Sequence, residues 1–470
     1  MVKYITIIVL IFYLFVISLT QTFVFDNTLS WVLIIYTSIR IIMLCVSNTP
    51  RLAKLNLYCF IFVFWGIIPS FEISNHTFKL NLNFSFSCIY KSQFIIILFL
   101  FVIEVIYYLV QKMLSTYFKE VINRDKYFLP SPKKHKLLFV IVQLILWGTG
   151  LTIARSTYFA IRGISSGEEF SNNLLWYITM GNLAIVLVFF LISNYFRQTS
   201  QSFFSSKMFT YDIYTFMFLL TIPSIIMVAN PISQPRFVSA AVMFSVIIQL
   251  LLFSSTLCKQ ANSIIFLFLF ALLTGSMNYL DMRYISNSSI TNVYKDASQN
   301  IKDDYIFSGH YDAFTTFVMQ VDYTHQHGHT FGRYLFFDCF FYIPRILYPA
   351  KPMAASAEII QEYEYSIAPN ISSPPLSEAY LDFGWIGVIL FSVFFAMVLA
   401  WCDYVVNNMN NVYQYIGGII FISFLQIFLR GSAVTALAPI LCVIICLICM
   451  SRFFRINNNS LQHNYNSHFS

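Results

Sequence analysis

A recurrence of apolar windows, each long enough to cross a lipid bilayer, limits this sequence more than any other feature. A helical span needs roughly 17–25 mostly apolar residues. Such windows fall at about 4–23, 29–47, 53–71, 92–112, 137–154, 174–196, 210–229, 237–257, 262–279, 385–406, 413–430 and 433–450. In hydrocarbon a segment of this length must satisfy its own backbone N–H and C=O groups, and a helix does so. The expected fold is therefore an all-α polytopic membrane protein of about 12 transmembrane helices. Composition agrees: 58% of residues are hydrophobic and 10% charged, where soluble domains carry about a quarter charged.

Charge then orients the windows. The connection between windows four and five carries Lys112, Lys119, Arg124, Lys126, Lys133, Lys134 and Lys136 against Glu120 and Asp125. If spans alternate, Arg51, Lys54, Arg197, Lys207, Lys259, Arg452 and Arg455 fall on the same side. Cytoplasmic loops carry such excess, so both termini are expected in the cytoplasm. The net charge of +7 fits this bias rather than nucleic acid, since no basic run interleaves with aromatics in a soluble segment. The start, Met1-Val2-Lys3-Tyr4, lacks a small-x-small cleavage site and reads as an uncleaved first span. Cys442, Cys446 and Cys449 share a helical face and read as small buried apolar residues, with no disulfide framework implied.

The expected organisation is a transmembrane bundle over 1–279, a large external loop over 280–384, further spans over 385–450 and a disordered cytoplasmic tail over 451–470. The loop holds most of the polar chemistry. Loops of this length are functional or disordered, and its aromatic and Pro content favours short ordered helices. The apolar insert from Phe331 to Tyr348 is too short to span a bilayer but long enough to dip into one.

Four signals in and around the loop bear on chemistry. Arg155, Arg162, Arg236, Arg283, Arg333, Arg345 and Arg430 lie near the external face, where topology bias depletes cations. Guanidinium forks bind phosphate bidentately; the bland alternative is snorkelling to lipid headgroups. Second, carboxylates accumulate there. Glu378, between Ser377 and Ala379-Tyr380-Leu381-Asp382, is the first candidate for a general base, against a surface carboxylate capping a helix after Ser377. Asp312 follows it, and Glu362 and Glu364 read as a solvated face. Third, His325-Gln326-His327-Gly328-His329 lacks a second ligand cluster at zinc spacing, so no metal is expected; a histidine acting as base or saccharide partner fits better. Fourth, Tyr311, Tyr348 and Tyr380 are among the aromatics that could stack on sugars.

The order Tyr311-Asp312-x-Phe314, Gly332-Arg333-Tyr334, Ile343-Pro344-Arg345-x-x-x-Pro349-x-Lys351-Pro352, Ser377-Glu378-x-Tyr380-x-Asp382-Phe383-Gly384 and Arg430-Gly431-Ser432 resembles bacterial O-antigen and oligosaccharide repeat-unit polymerases of the Wzy type. The resemblance implies a GT-C-like bundle in the inner membrane, with a large periplasmic loop between spans nine and ten. The implied reaction joins undecaprenyl-pyrophosphate-linked oligosaccharides by metal-independent inverting glycosyl transfer, with no cofactor. By position, Arg345, Lys351 and Arg430 would neutralise pyrophosphate, helped by Arg333 and Arg283. Glu378, Asp312 or His310 would serve as base, and Tyr311, Tyr348 and Tyr380 would contact substrate. The segment Asp281-Met282-Arg283-Tyr284 departs from the expected small-residue-plus-Arg turn. Implied partners are the lipid-linked oligosaccharides, membrane lipid and a chain-length regulator, with no nucleic acid.

Two alternatives stay open at this point. An O-antigen ligase shares the bundle and the long loop but delivers its chain to lipid A-core. A flippase or transporter would need ionisable residues within spans. Glu104 and Asp212 are the acids visible there, and neither has an evident partner in the sequence.

Overall fold

A computed structural model describes residues 2–20, 28–75, 82–122, 185–195, 236–273, 311–341, 354–363, 371–408, 412–431 and 433–453, with a few isolated positions besides. The described residues are helical, with no strand among them. In chain order the helices are α1 (Val2–Thr20), α2 (Thr28–Val46), α3 (Leu52–Phe60) running through a π-helical stretch into α4 (Ile68–Asn75), and α5 (Phe86–Ile122). They continue with α6 (Ile185–Tyr195), then α7 (Arg236–Phe253), α8 (Ser255–Cys258), α9 (Ala261–Ala271), α10 (Ala313–His327), α11 (Arg333–Cys339) and α12 (Ala355–Ile359). The last are α13 (Pro375–Asn408), α14 (Val412–Arg430) and α15 (Ala433–Phe453).

Among the described residues, five helices are long and apolar enough to cross a membrane: Thr28–Val46, Leu52–Ser74, Phe86–Thr116, Pro375–Asn408 and Val412–Arg430. Shorter apolar helices cover Val2–Phe15, Ile185–Tyr195, Phe237–Phe253, Ala261–Ala271 and Pro439–Cys449. This is the pattern of a multi-pass membrane protein. The sequence window 137–154 lies outside the described residues, as do residues 274–310, the tail from 454 and, apart from 222, 223 and 225, the window 210–229.

The chain forms two compact units. One contains Met1–Ser115, Ala229–Asn408 and Gly418–Ala438; the other contains Thr116–Val228, Met409–Gly417 and Pro439–Ser470. In the second unit Tyr195 and Tyr415 bring their rings to 5.7 Å. Cys442 and Cys446 there are partly exposed and Cys449 is exposed. The expected burial is thus only partial: Cys442 and Cys446 flank the buried Val443 and Leu447, and Cys449 is exposed.

In the first unit, Leu52–Ser74 is 89% buried, against 44% for Thr28–Val46 and 39% for Phe86–Thr116, so it is the central helix. Lipid tails are as apolar as leucine, and helices in a membrane associate through close packing rather than expulsion of water. Aromatic rings supply much of that packing here. Trp65 lies edge-on to Phe60 at 5.1 Å and to Phe317 at 5.8 Å, while Phe391, Phe395 and Phe428 stack at 5.6–6.4 Å.

Charged groups inside the first unit are paired. Glu104 accepts from Arg40 at 2.5 Å and from Lys54 at 2.8 Å, which supplies the partners that could not be read from sequence. Lys54, expected in a connecting loop, is instead 2% exposed within α3. Asp403 of α13 accepts from the backbone N–H groups of Ala53 at 2.8 Å and Lys54 at 3.3 Å. Arg51, at the cap position of α3, makes no side-chain cap bond, so an aspartate from a distant helix serves the orphan donors of that first turn.

Candidate functional site

The polar loop residues that the structure describes form a packed body. Met319, Tyr334, Ala355, Ile359, Ile360 and Leu381 share one core with Leu82, tying α10, α11, α12 and the start of α13 together. The helix expected to begin near 385 starts instead at Pro375, where the fixed φ of proline suits a first helical position. It breaks at Gly384 (φ 61, ψ −141), a conformation favouring glycine. Residues 375–383 are thereby a helical stub, set off from the longer run that follows.

That stub carries Glu378 and Asp382 inward. Asp382 accepts from Thr330 Oγ1 at 2.5 Å and from the backbone N–H groups of Leu335 at 2.8 Å and Tyr334 at 3.3 Å. Gly332, the cap residue of α11, has no side chain to offer. Asp382 therefore holds the N-terminus of α11, where a negative charge is favoured. Glu378 is 4% exposed, which corrects the surface-cap reading of this residue. Its Oε1 accepts from Ser373 Oγ at 2.5 Å.

Asp338, from the buried side of α11, completes an acidic cluster that sequence reasoning did not single out as a site. Neither Asp338 Oδ1 nor Glu378 Oε2 has a hydrogen-bond partner among the described residues, and the two buried carboxyls are close enough to influence each other. Neighbouring buried carboxyls disfavour ionising together. Burial pushes Asp338 up to about 7, the interaction with Glu378 opposes the rise, and the neighbouring charge of Asp382 adds to it. The one sequence signal was a lone acid inside an apolar insert, four residues after Tyr334 and on its buried face.

Asp312 lies at the cap position of α10 but makes no side-chain bond to its own helix. Its Oδ2 accepts from the backbone N–H of Ser372 at 2.8 Å, and its Oδ1 accepts from Ser372 Oγ and from Arg430 Nη2 at 3.2 Å. The guanidinium of Arg430 also lies over the Phe237 ring, 4.4 Å from its centroid. From Ser373 the network extends to Gln320, which donates to Ser373 Oγ at 3.0 Å and to Ser356 Oγ at 2.8 Å. The adjacent serines 372 and 373 thus join two polar centres: Arg430 with Asp312 on one side, Glu378 with Asp338 on the other.

The remaining candidates are placed as follows. Arg333 pairs with Glu358 at 2.5 Å and is half exposed. Tyr311 is buried and donates to the Leu273 carbonyl at 2.7 Å. Tyr380 is buried with Lys91 5.2 Å from its ring centroid; Tyr348 meets Phe336 edge-on at 6.2 Å. His325 and His327 close α10 at the surface, and His329 points its Nδ1 at the Leu381 carbonyl, 3.3 Å away. Glu362 is half exposed, as a solvated face requires. His310, Arg283, Arg345 and Lys351 lie outside the described residues, as do Arg155, Arg162 and Glu364.

With this geometry in hand, residues 355–457 match the family model O-antigen polysaccharide polymerase Wzy. The likeness to the Wzy family is a likeness of this stretch. It covers less than a quarter of the chain. Within it lie Ser372, Ser373, Glu378, Asp382 and Arg430; Asp312, Asp338 and the Ile343–Pro352 motif lie before it. The family expected from the sequence is thus matched over a stretch that includes Glu378 and Arg430. No curated protein and no solved structure matched the chain.

Proposed function

We propose that this chain is a polymerase of lipid-linked oligosaccharides, acting at the periplasmic face of the inner membrane with both termini in the cytoplasm. The Wzy-family match over residues 355–457 carries this reading, because Glu378 and Arg430 both fall inside it. The contact of Arg430 with Asp312, an acid from well outside the match, supports a site assembled from the loop and a membrane helix.

In the proposed reaction the growing glycan leaves undecaprenyl pyrophosphate and joins the non-reducing end of an incoming unit. The bond from the anomeric carbon to the phosphate oxygen breaks as the bond to the acceptor oxygen forms on the opposite face, inverting that carbon. Undecaprenyl pyrophosphate departs with the electron pair. Arg430, with Arg345, Lys351, Arg333 and Arg283, opposes the charge that develops on the leaving group. Fixed cations of this kind supply the neutralisation that a divalent ion gives elsewhere. Asp312 orients Arg430. The acceptor proton passes to Glu378 or to its neighbour Asp338, whose carboxyl burial raises to about 7, since a base near neutrality suits such a transfer. His310 is a further candidate for that step, and a chain-length regulator is a proposed partner.

The test supplies purified protein with undecaprenyl-pyrophosphate-linked repeat units, without added metal or nucleotide sugar. A ladder of elongated glycans is expected. No ladder, or transfer only onto lipid A-core, would sink the polymerase reading.

A further inference from the structure

Helix α11 is amphipathic in the reverse sense to a helix on a water-soluble surface. Its inward residues are Tyr334 and the carboxyl of Asp338. Its outward residues are apolar: Leu335 is 53% exposed and Phe336 48%, with Phe340 and Cys339 beside them. Just before the helix, Phe331 is 84% exposed and sits at φ 51, in the left-handed region that a bulky residue rarely adopts. Its backbone N–H is held by the Asp382 carbonyl at 3.0 Å, so the ring is kept outward by the bonds that fix the turn.

The surroundings say what covers this face. Along α13, Ile386, Leu390, Phe394, Met397 and Trp401 are exposed at helical spacing, forming one apolar stripe on a helix long enough to cross a membrane. Phe383 stands at the upper end of that helix and is itself 41% exposed. α11 begins directly against it: a Cβ on Gly332 would come within 2.8 Å of the Phe383 ring. The outward face of α11 is thus continuous with the stripe. At the same level Trp385 lies edge-on to Tyr380 at 5.6 Å, and Lys91 covers the Tyr380 ring. Of these, Trp385 is 39% exposed at the start of the run, and exposed tryptophan favours the boundary between headgroups and acyl chains.

We propose that α11 lies in that boundary with Phe331, Leu335, Phe336 and Phe340 inserted among the acyl chains of the bilayer. Membrane lipid is the occupant of this surface. The proposal goes beyond the polymerase reading and stands without it. Asp338 then rides on the protein side of a lipid-embedded helix.

Cys339 offers a native reporter, because it lies on the outward face of α11. The full chain, with Cys258, Cys442, Cys446 and Cys449 replaced by Ala, is labelled at Cys339 with a nitroxide. It is then placed in nanodiscs of phosphatidylethanolamine and phosphatidylglycerol. Collision rates with oxygen, which partitions into lipid, and with a polar nickel chelate, which stays in water, are read by power saturation. A second sample carries Cys339→Ala and a label at His325→Cys, on the exposed end of α10, as the aqueous reference. The Cys339 label is expected to favour oxygen over the chelate several-fold, the reverse of the ratio at 325. A chelate-dominated signal at Cys339 would put the face in water and overturn the proposal. Protection from both reagents would also overturn it, assigning the face to a second copy of the chain or another protein.

Discussion

Arg430 and Asp312 stand 118 positions apart in the chain and 3.2 Å apart in space. The guanidinium side chain is 15% exposed and the carboxylate 3%. A buried pair contributes little net relative to apolar residues of the same volume, but removing one partner strands the other, at a cost of about 3–5 kcal/mol. Arg430→Ala and Asp312→Ala should each lower stability by about that much, and the double variant by clearly less than their sum. Thermal unfolding of the three variants in detergent checks this. In elongation assays Arg430→Lys should also lose most activity, because a point charge does not reproduce the fork. Strict additivity of the two stability losses would show that the residues act apart.

The Arg333–Glu358 pair is a contrast. Its side chains are 52% and 28% exposed, and pairs in that situation contribute about 0–1 kcal/mol. Arg333→Ala should therefore leave the unfolding temperature nearly unchanged. Loss of elongation in this variant would then report on substrate rather than fold, and full elongation would remove Arg333 from the pyrophosphate site.

Asp338 sets a pH dependence with a definite sign. Burial raises its carboxyl from the ordinary 3.8 to about 7 in the folded protein. The folded state keeps a proton that the unfolded state releases. Stability is therefore fully present below the unfolded value and is lost as pH rises through about 7. Wild-type protein should melt at progressively lower temperature between about pH 5 and pH 8. Asp338→Asn, which removes the titrating carboxyl, should flatten that slope. Parallel melting profiles for the two proteins would show that Asp338 is not the titrating group.

Much of this was legible in the sequence. Repeated apolar windows require helices, and the described windows contain them. Arg430 and Glu378 stood out because charges are scarce in such a chain, and both fall within the family match. Pairings were not legible. Glu104 finds Arg40 64 positions away, and no spacing rule connects two helices across that distance. Asp338 was hidden because it sits among phenylalanines, where apolar periodicity reads the segment as membrane-seeking and gives no weight to its one acid. Arg345 and Lys351 lie outside the described residues, so their part in the site is a matter for mutagenesis.

Gly387 offers a test of the helix break itself. A Cβ there would fall 2.0 Å from the carbonyl oxygen of Ala379, so backbone rather than a flexible side chain would have to move. Gly387→Ala should destabilise by at least the ~1–3 kcal/mol typical of overpacking, and Gly384→Ala by a comparable amount through strain at positive φ. Thermal unfolding of both variants measures it; a neutral Gly387→Ala would mean that the stub and the following run are not so closely apposed.

The break at Gly384 also separates two mechanical duties. A continuous helix tilts as a rod when bilayer thickness changes, and acids near its end would swing with it. Here the helical path changes direction at Gly384 before the acids are reached, and the stub is held to its neighbours by Asp382 and Glu378. A tilt of the run would then be taken up at this turn rather than carried to the acids. Elongation should accordingly be insensitive to lipid chain length across reconstituted bilayers for as long as that joint remains glycine.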